Sequence, residues 1–449
     1  MTDPGSAAHG TGRPPGRTAS YDLLLAGGEV LDAGAGYVGR ADVGVRDGRV
    51  AAVGPGLPRA HAREVVDVSG KLVVPGLIDL HTHVHPGATY WGIAPDPVAW
   101  YSGVTTWVDA GSAGAYTLDA LRAAADGFRV RVPALLNISA IGLTGATGEN
   151  RELRHCDVDL AVATIAANRD LVVGVKVRMD HHTVGEHGLE PLRRAVEVSE
   201  ASGVPVMVHI GVAPPTVGEL LPLLRPGDIL THCASGIAEG VVGINGVEPV
   251  LREAYQAGVL FDLGHGSGGF AFDVLEAQLD AGLVPHTVSS DLHARCLYGP
   301  VFDLPTTMTK LLAVGLPLRD VIAAATAHPA RALNLASGAG TLAVGVPADL
   351  AVFAVKEGRF EVVDSHQQRR TARQRLVNEA TYVAGRLLPP ALPPEPRPWV
   401  PLTAAQRAAA RRRTNRIRDL LTAPLVGADG LAEQFPRPAR EGVPAADET

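Results

Sequence analysis

The chain has 449 residues, of which 46% are hydrophobic and 19% are charged, and its formal net charge is −7. This composition is typical of a globular protein, and the mildly acidic balance argues against a nucleic-acid partner. The length predicts a core of ~250–300 residues with a second, smaller module. Three cysteines without Cys-x-x-Cys spacing exclude a disulfide framework and favour a reducing, cytoplasmic setting.

The N-terminal part is predicted to be a flexible tail followed by short strands. Residues 1–20 lack the apolar core of a signal peptide, and no apolar run reaches the ~18 residues of a membrane span, so no membrane partner is expected. Residues 21–71 alternate apolar runs with turns, including the hairpin signal Asp47-Gly48. They predict a small β module that is too short to close a core alone.

From residue 72 onwards, apolar runs alternate with segments of helical spacing. The predicted strands are residues 72–80, 104–110, 130–138, 171–179, 204–210, 228–233, 259–264 and 286–291. Their near-continuous apolar character is typical of strands that are buried on both faces. Eight strand–helix units within residues 72–339 predict an α/β fold of the (β/α)₈, or TIM-barrel, type.

The C-terminal part returns to strands and then changes character again. Residues 340–390 resemble the opening module in composition, and the two flanks, 21–71 and 340–390, are predicted to pair into one small β-sandwich. Residues 391–449 begin as a proline-rich linker and contain a predicted helix at 404–421 with six arginines. Such a helix could bind nucleic acid or a membrane, but its small apolar face favours a solvated or subunit-contacting helix, and a homo-oligomer is expected.

Residues that can ligate metals or transfer protons lie at or near the ends of five predicted strands: His81, His83, Lys176, His209, His232 and Asp291. Barrel enzymes place their chemistry at the C-terminal ends of the strands. His81 and His83 are two positions apart in an extended chain, so both imidazoles can face one metal. Each residue alone has a simpler explanation, such as a satisfied core histidine, a snorkelling lysine or a helix-capping aspartate. Their joint occurrence favours a metal site.

The chain resembles the amidohydrolase superfamily over about residues 21–390. Residues 74–83 (VPGLIDLHTH) match the opening motif of that superfamily residue by residue. Within the superfamily, the chain is most similar to dihydroorotase-like deacetylases. The segments that carry this similarity are GVTT (103–106), DAGSAG (109–114), GVKVR (174–178), DLGHG (262–266), SDLH (290–293) and LPTTMTK (304–310).

The resemblance implies a centre of two divalent metal ions, with zinc as the expected metal. His81 and His83 would hold the more buried ion, and His209 and His232 would hold the other. Lys176 would react with carbon dioxide to form a carbamate that bridges both ions. A bridging anion between two cations is favourable where an unpaired buried ammonium is not.

The resemblance also implies the catalytic step. Asp291 would ligate the first ion and accept a proton from a water that bridges the two metals. The resulting hydroxide would attack a carbonyl that one metal polarises, and Asp291 would pass the proton to the leaving nitrogen or oxygen.

Two further residues are candidate substrate ligands. Arg178 lies two positions after Lys176 on the same strand face and could bind a substrate carboxylate through two hydrogen bonds. The alternative for Arg178 is a salt bridge with a neighbouring barrel residue. His265 follows a predicted barrel strand and either contacts substrate or has a structural role.

The predicted function is hydrolysis of an acyl bond, an N-acetyl amide or an O-acetyl ester, in a small acylated molecule. The same site could instead open a cyclic amide, as dihydroorotases and hydantoinases do. A third possibility, of another class, is a non-catalytic scaffold with the amidohydrolase fold. The complete set of six predicted ligands argues against the scaffold, and a protein without bound transition metal would revive it.

Overall fold

A computed structural model describes residues 20–146, 148–243 and 246–422. The predicted N-terminal tail lies outside the described residues except for Ser20, and so does the chain after Thr422. The strands are β1 (Tyr21–Asp32), β2 (Tyr37–Arg46), β3 (Arg49–Gly54), β4 (Ala62–Asp67), β5 (Leu72–Pro75), β6 (Leu77–Thr82), β7 (Val104–Ala110), β8 (Ala134–Asn137), β9 (Val172–Met179), β10 (Val206–Ile210), β11 (Ile229–Thr231), β12 (Val242–Gly243), β13 (Gly246–Val247), β14 (Leu260–Asp262), β15 (Leu350–Val363), β16 (Arg369–Val383) and β17 (Arg386–Leu387). The helices are α1 (Asp96–Ser102), α2 (Leu118–Ala125), α3 (Val158–Ala167), α4 (His181–Val184), α5 (Glu190–Ser202), α6 (Val217–Leu220), α7 (Pro249–Gln256), α8 (Phe272–Asp280), α9 (Leu304–Ala313), α10 (Leu318–Ala324), α11 (Ala327–Ala332) and α12 (Ala404–Thr422).

The largest core surrounds a curled, seven-stranded parallel sheet with the order β14-β11-β10-β9-β8-β7-β6. Every residue of β6 and β7 is buried. Apolar strands of this kind need cover on both faces, and a helix precedes each strand of this sheet after β6 to supply it. The predicted α/β class is confirmed. Because the strands are parallel, their C-terminal ends meet at one edge of the sheet, where the predicted site residues lie.

The eighth predicted barrel strand, residues 286–291, does not form a regular ladder. Single parallel bridges join Thr287 to Asp262 in β14 and Leu292 to Thr82 in β6. This part of the chain therefore contacts both outermost strands of the sheet. The ladder is interrupted because the Ser290 N–H donates to the Asp79 side chain and the backbone of Asp291 has a positive φ of 46°. A closed barrel of eight strands stays a prediction.

The two flanks of the chain combine in one eight-stranded sheet around a separate apolar core. Antiparallel pairing of β5 with β15 joins the two flanks, so residues 72–75, which were predicted to begin the first barrel strand, belong to this sheet instead, and of that predicted strand only β6 belongs to the parallel one. β1 pairs with β2 along one side, where a bulge lies between Leu25 and Gly28. Along its other side, it is long enough to pair with both β4 and β5. The pairing of the flanks matches the prediction, whereas the two-layer sandwich is not confirmed, since these strands belong to one continuous sheet.

The arginine-rich helix α12 packs against its own chain. Ile417 is buried, and the Gln406 amide donates to the carbonyls of Arg295 and Gly299. The Arg413 guanidinium lies 5.3 Å from the ring centre of Tyr298. One face of the helix is therefore covered within the monomer. Among the described helices, none is both long and apolar enough to cross a lipid bilayer.

Candidate active site

The side chains of all six predicted metal ligands line one cavity of about 180 Å³ at the C-terminal edge of the parallel sheet. His81 lies in β6, Lys176 in β9 and His209 in β10. His232 directly follows β11, and Asp291 lies in the segment that bridges the two sheet edges. The sequence thus predicted which strand ends converge. Whether each residue binds metal stays a prediction.

Three of these residues form a group that could hold a metal ion. The Asp291 Oδ1 atom lies 3.4 Å from His81 Nε2 and 3.2 Å from His83 Nε2. In the part of the chain that the structure describes, the ligand atoms of these three residues lie within 4.8 Å of one another. Two imidazoles and a carboxylate are a donor set that suits zinc and other divalent transition metals.

The other predicted ligands are adjacent to this group. The Lys176 Nζ atom lies 3.0 Å from His81 Nε2, and His232 Nε2 lies 2.7 Å from His209 Nδ1. The ring centres of His81 and His232 are 5.1 Å apart. The six side chains therefore form one continuous cluster.

Each of three histidines is held through its Nδ1 atom by an oxygen outside the cluster. His81 Nδ1 bonds Thr231 Oγ1 (2.8 Å), which itself donates to Asp262 (2.7 Å), so the proton lies on Nδ1. His83 Nδ1 bonds the hydroxyl of Ser112 (2.9 Å), and His232 Nδ1 bonds the carbonyl of Gly264. The Nε2 atoms are left facing the cluster. Oxygen partners of this kind are typical of metal-binding histidines, because they fix the ring and its tautomer.

Burial keeps the imidazoles of the cluster neutral. It lowers the pKa of His81 well below its ordinary range, that of His83 to about 3 and that of His232 to about 4. A neutral imidazole keeps the lone pair that a metal needs. Burial also lowers the pKa of Lys176 to about 7, and its contacts to the His81 ring and to Met207 Sδ (3.2 Å) do not balance an ammonium charge.

Three buried carboxylates that the sequence analysis did not single out position the cluster. Asp262 accepts the hydrogen bond from Thr231, Asp109 accepts from the backbone N–H of Ser112 (2.7 Å), and Asp79 accepts from the backbone N–H of Ser290 (2.9 Å). Burial raises the pKa of Asp79 to about 7. Each is an ionisable residue in an apolar strand, which is the same signal that identified Lys176.

Arg178 lines the cavity and also makes the predicted alternative contact. Its guanidinium donates to both carboxylate oxygens of Glu149 (3.2 and 3.4 Å) and lies 5.5 Å from the ring centre of Trp91. Trp91 in turn stacks on His293, with ring centres 5.2 Å apart. These aromatic and cationic groups form one wall of the cavity. Trp91 gives no clear signal in the sequence, whereas His293 lies two residues after Asp291 in the SDLH segment.

His265 does not line the cavity, so the predicted substrate contact is not seen. Its ring is completely buried, with Nδ1 2.9 Å from the Gly266 carbonyl and Nε2 2.6 Å from Lys310 Nζ. These two bonds use both ring nitrogens and favour the structural alternative.

Fold and site together define a class: an α/β protein with a metal-capable histidine–aspartate group at the C-terminal edge of a parallel sheet. The sequence model of the amidohydrolase family matches residues 72–217 and 270–384. The chain belongs to the amidohydrolase family and is a hydrolase.

Curated relatives include a deacetylase from Brucella anthropi, which is 36% identical over 325 residues, 72% of this chain and 81% of the relative. A deacetylase from Enterococcus faecalis is 33% identical over 372 residues, 82% of this chain and 99% of the relative. Among solved structures, one described as an adenine deaminase matches with a TM-score of 0.77 and 32% identity, covering 82% of this chain and 99% of that one. A dihydroorotase structure matches with a TM-score of 0.74 and 32% identity, covering 81% and 98%.

Proposed function

We propose that this protein is a metal-dependent deacetylase that hydrolyses an N-acetyl amide or O-acetyl ester in a small molecule. The convergence of His81, His83 and Asp291, with Lys176 beside them, supports this proposal most directly. The two relatives named deacetylases add support from sequence. The small cavity suits an amino-acid-like or hydroxy-acid-like substrate better than a polymer.

The donor set fits two divalent ions, for which zinc is the expected metal. His81 and His83 would hold one ion, His209 and His232 the other, and a carbamate on Lys176 would join them. Carbamate formation requires a neutral amine, and burial of Lys176 favours that form. Bound divalent ions supply water activation at neutral pH and polarise the acyl carbonyl.

Asp291 is proposed as the residue that moves the proton. Its carboxylate takes a proton from the attacking water and later gives it to the nitrogen or oxygen of the departing group, so the carboxylate is restored. Asp79 orients this segment by accepting the hydrogen bond of the Ser290 N–H. Trp91 and His293 exclude bulk water from one side of the cavity.

The proposed function is tested by assaying metal-reconstituted protein on N-acetyl amino acids and on acetyl esters of hydroxy acids, with metal content measured in parallel. We expect acetate release by protein that contains close to two metal ions per chain. A metal-loaded protein that leaves the whole panel intact would overturn the deacetylase proposal. A protein that binds no transition metal would instead favour the scaffold.

A second candidate is ring opening of a cyclic amide, which the similarity to the dihydroorotase structure supports. Dihydroorotate and hydantoin are therefore included in the same panel. Faster turnover of either ring than of every acetylated compound would select this alternative.

The replacement of Arg178 by lysine is expected to lower kcat/KM for substrates with a free carboxylate by about 10- to 100-fold, equivalent to ~1.5–3 kcal/mol for hydrogen bonds to a charged group. Lysine keeps the charge but loses the planar fork that binds a carboxylate through two bonds. The same substrates are compared as their methyl esters, for which the loss should be much smaller. Glu149→Gln, which removes the ion pair but keeps Arg178, is the matched control. If kcat/KM falls equally on the acids and on their methyl esters in both variants, Arg178 acts in folding alone.

A further inference from the structure

A glycine-rich loop, residues 264–269, packs directly on two residues of the proposed centre. A Cβ atom at Gly266 would overlap Asp291 Oδ2, and one at Gly269 would overlap His232 Nδ1. The carbonyl of Gly264 also bonds His232 Nδ1. The position of this backbone therefore sets where the two side chains can lie.

His265, the second residue of this loop, links it to helix α9. The Gly266 carbonyl can only accept, so His265 Nδ1 carries the proton and donates to it (2.9 Å). The Nε2 atom consequently accepts from Lys310 Nζ (2.6 Å). The Lys310 amine also donates to the carbonyl of Pro300 (2.8 Å), which ties the loop to the segment that precedes α9.

The eight-stranded sheet that the two flanks form (the flank sheet) contacts the same loop from another side. Ser365, in the turn between β15 and β16, donates through its hydroxyl to the Gly266 carbonyl (3.2 Å), and its N–H donates to Phe270 O (3.2 Å). The Phe270 ring packs on His265, with ring centres 4.8 Å apart. The loop is thus held by an element of the barrel region and by an element of the flank sheet.

Packing alone does not account for a lysine at position 310. Its side chain is 1% exposed, and burial lowers the pKa of its amine to about 7, although Asp364 and Asp303 oppose that shift. An apolar side chain of similar size would fill this space without the cost of removing an amine from water. The hydrogen bonds of the amine to His265 and Pro300 offset part of that cost.

We propose that Lys310 and His265 are positioning residues, which hold the 264–269 loop against His232 and Asp291 in the geometry that turnover requires. This inference rests on the proposed function, since it assigns the loop to the reaction that Asp291 serves. It gives His265 a role away from the substrate.

The test compares Lys310→Met, His265→Phe and the double variant with the wild-type protein. Methionine keeps the length and apolar volume of lysine but cannot donate. We expect kcat to fall by about 10- to 100-fold in each single variant, because a displacement of catalytic groups near 1 Å has an effect of this size. KM should change by less than about threefold, and the double variant should lose little more than either single one, as expected for two residues that act through one connection.

A second measurement does not depend on activity. Hydrogen–deuterium exchange of metal-free protein should be faster across residues 263–271 in both single variants, with other peptides unchanged. Lys71→Met, which removes an exposed ion pair with Glu379 in the flank sheet, is the matched control and should leave kcat and exchange as they are.

Wild-type rates and wild-type exchange in Lys310→Met would overturn the inference. If Lys310→Met does not fold, His265→Phe, which leaves the bond of Lys310 to Pro300 in place, decides in the same way. A wild-type protein that is inactive on the whole substrate panel would contradict the proposed function alone, because the exchange experiment still shows whether the two residues hold the loop.

Discussion

Replacement of Lys176 by alanine is expected to remove metal binding and turnover together. The amine lies 3.0 Å from His81 Nε2, and the His81 ring centre lies 5.1 Å from that of His232, which belongs to the other proposed histidine pair. Without a bridging anion, two cations would repel each other across a buried site. Loss of metal-assisted catalysis is worth several kcal/mol, or about 10³-fold or more at ~1.4 kcal/mol per tenfold. Metal per chain by plasma mass spectrometry and kcat/KM for the best substrate are the two measurements.

Short carboxylic acids should restore part of both properties in this variant. Acetate or propionate can occupy the space that the lysine leaves and supply a bridging carboxylate. Lys356→Ala, at an exposed position of β15, is the control and should keep full metal content and rate. A Lys176→Ala protein that retains two metal ions would contradict the proposed bridging carbamate. If the variant loses its metal and short acids restore neither metal nor rate, only a structural role remains for the lysine.

Replacement of Asp291 by asparagine is expected to separate metal binding from turnover. Asparagine has the same shape and keeps an oxygen near His81 and His83, so most of the metal should remain. It cannot take a proton from water, and general acid–base catalysis contributes about 10²–10⁴-fold. We therefore expect kcat to fall within that range while the metal content stays above about half of the wild-type value.

The matched control for this variant is Asp170→Asn, which removes an exposed carboxylate that pairs with Arg122 (2.7 Å) and does not line the active-site cavity. It should leave kcat unchanged. A rate above one tenth of wild type in metal-loaded Asp291→Asn would show that another group moves the proton. Equal loss of metal and rate would instead make ligation the main role of Asp291.

The residues of the candidate site could be predicted because parallel strands bring their C-terminal ends to one edge. Apolar runs that end in His81, His209 and His232 are visible in the sequence, and so is a lysine inside the buried strand β9. The hydroxyl groups that orient them could not be predicted. Thr231 and Ser112 are ordinary polar residues in sequence, and their partnership with histidines on another strand exists only after the sheet curls.

The amino-acid pattern by itself determined the α/β class, the order of the buried strands and the six side chains that converge, since these follow from periodicity and from the direction of parallel strands. The tertiary structure decided the contacts between segments distant in the chain. It placed the flanks in one sheet, replaced a regular eighth strand by single bridges at Thr287 and Leu292, and turned His265 towards Lys310. The physical reason is that hydrogen bonds of buried polar groups are satisfied by whichever partner the packed fold brings near.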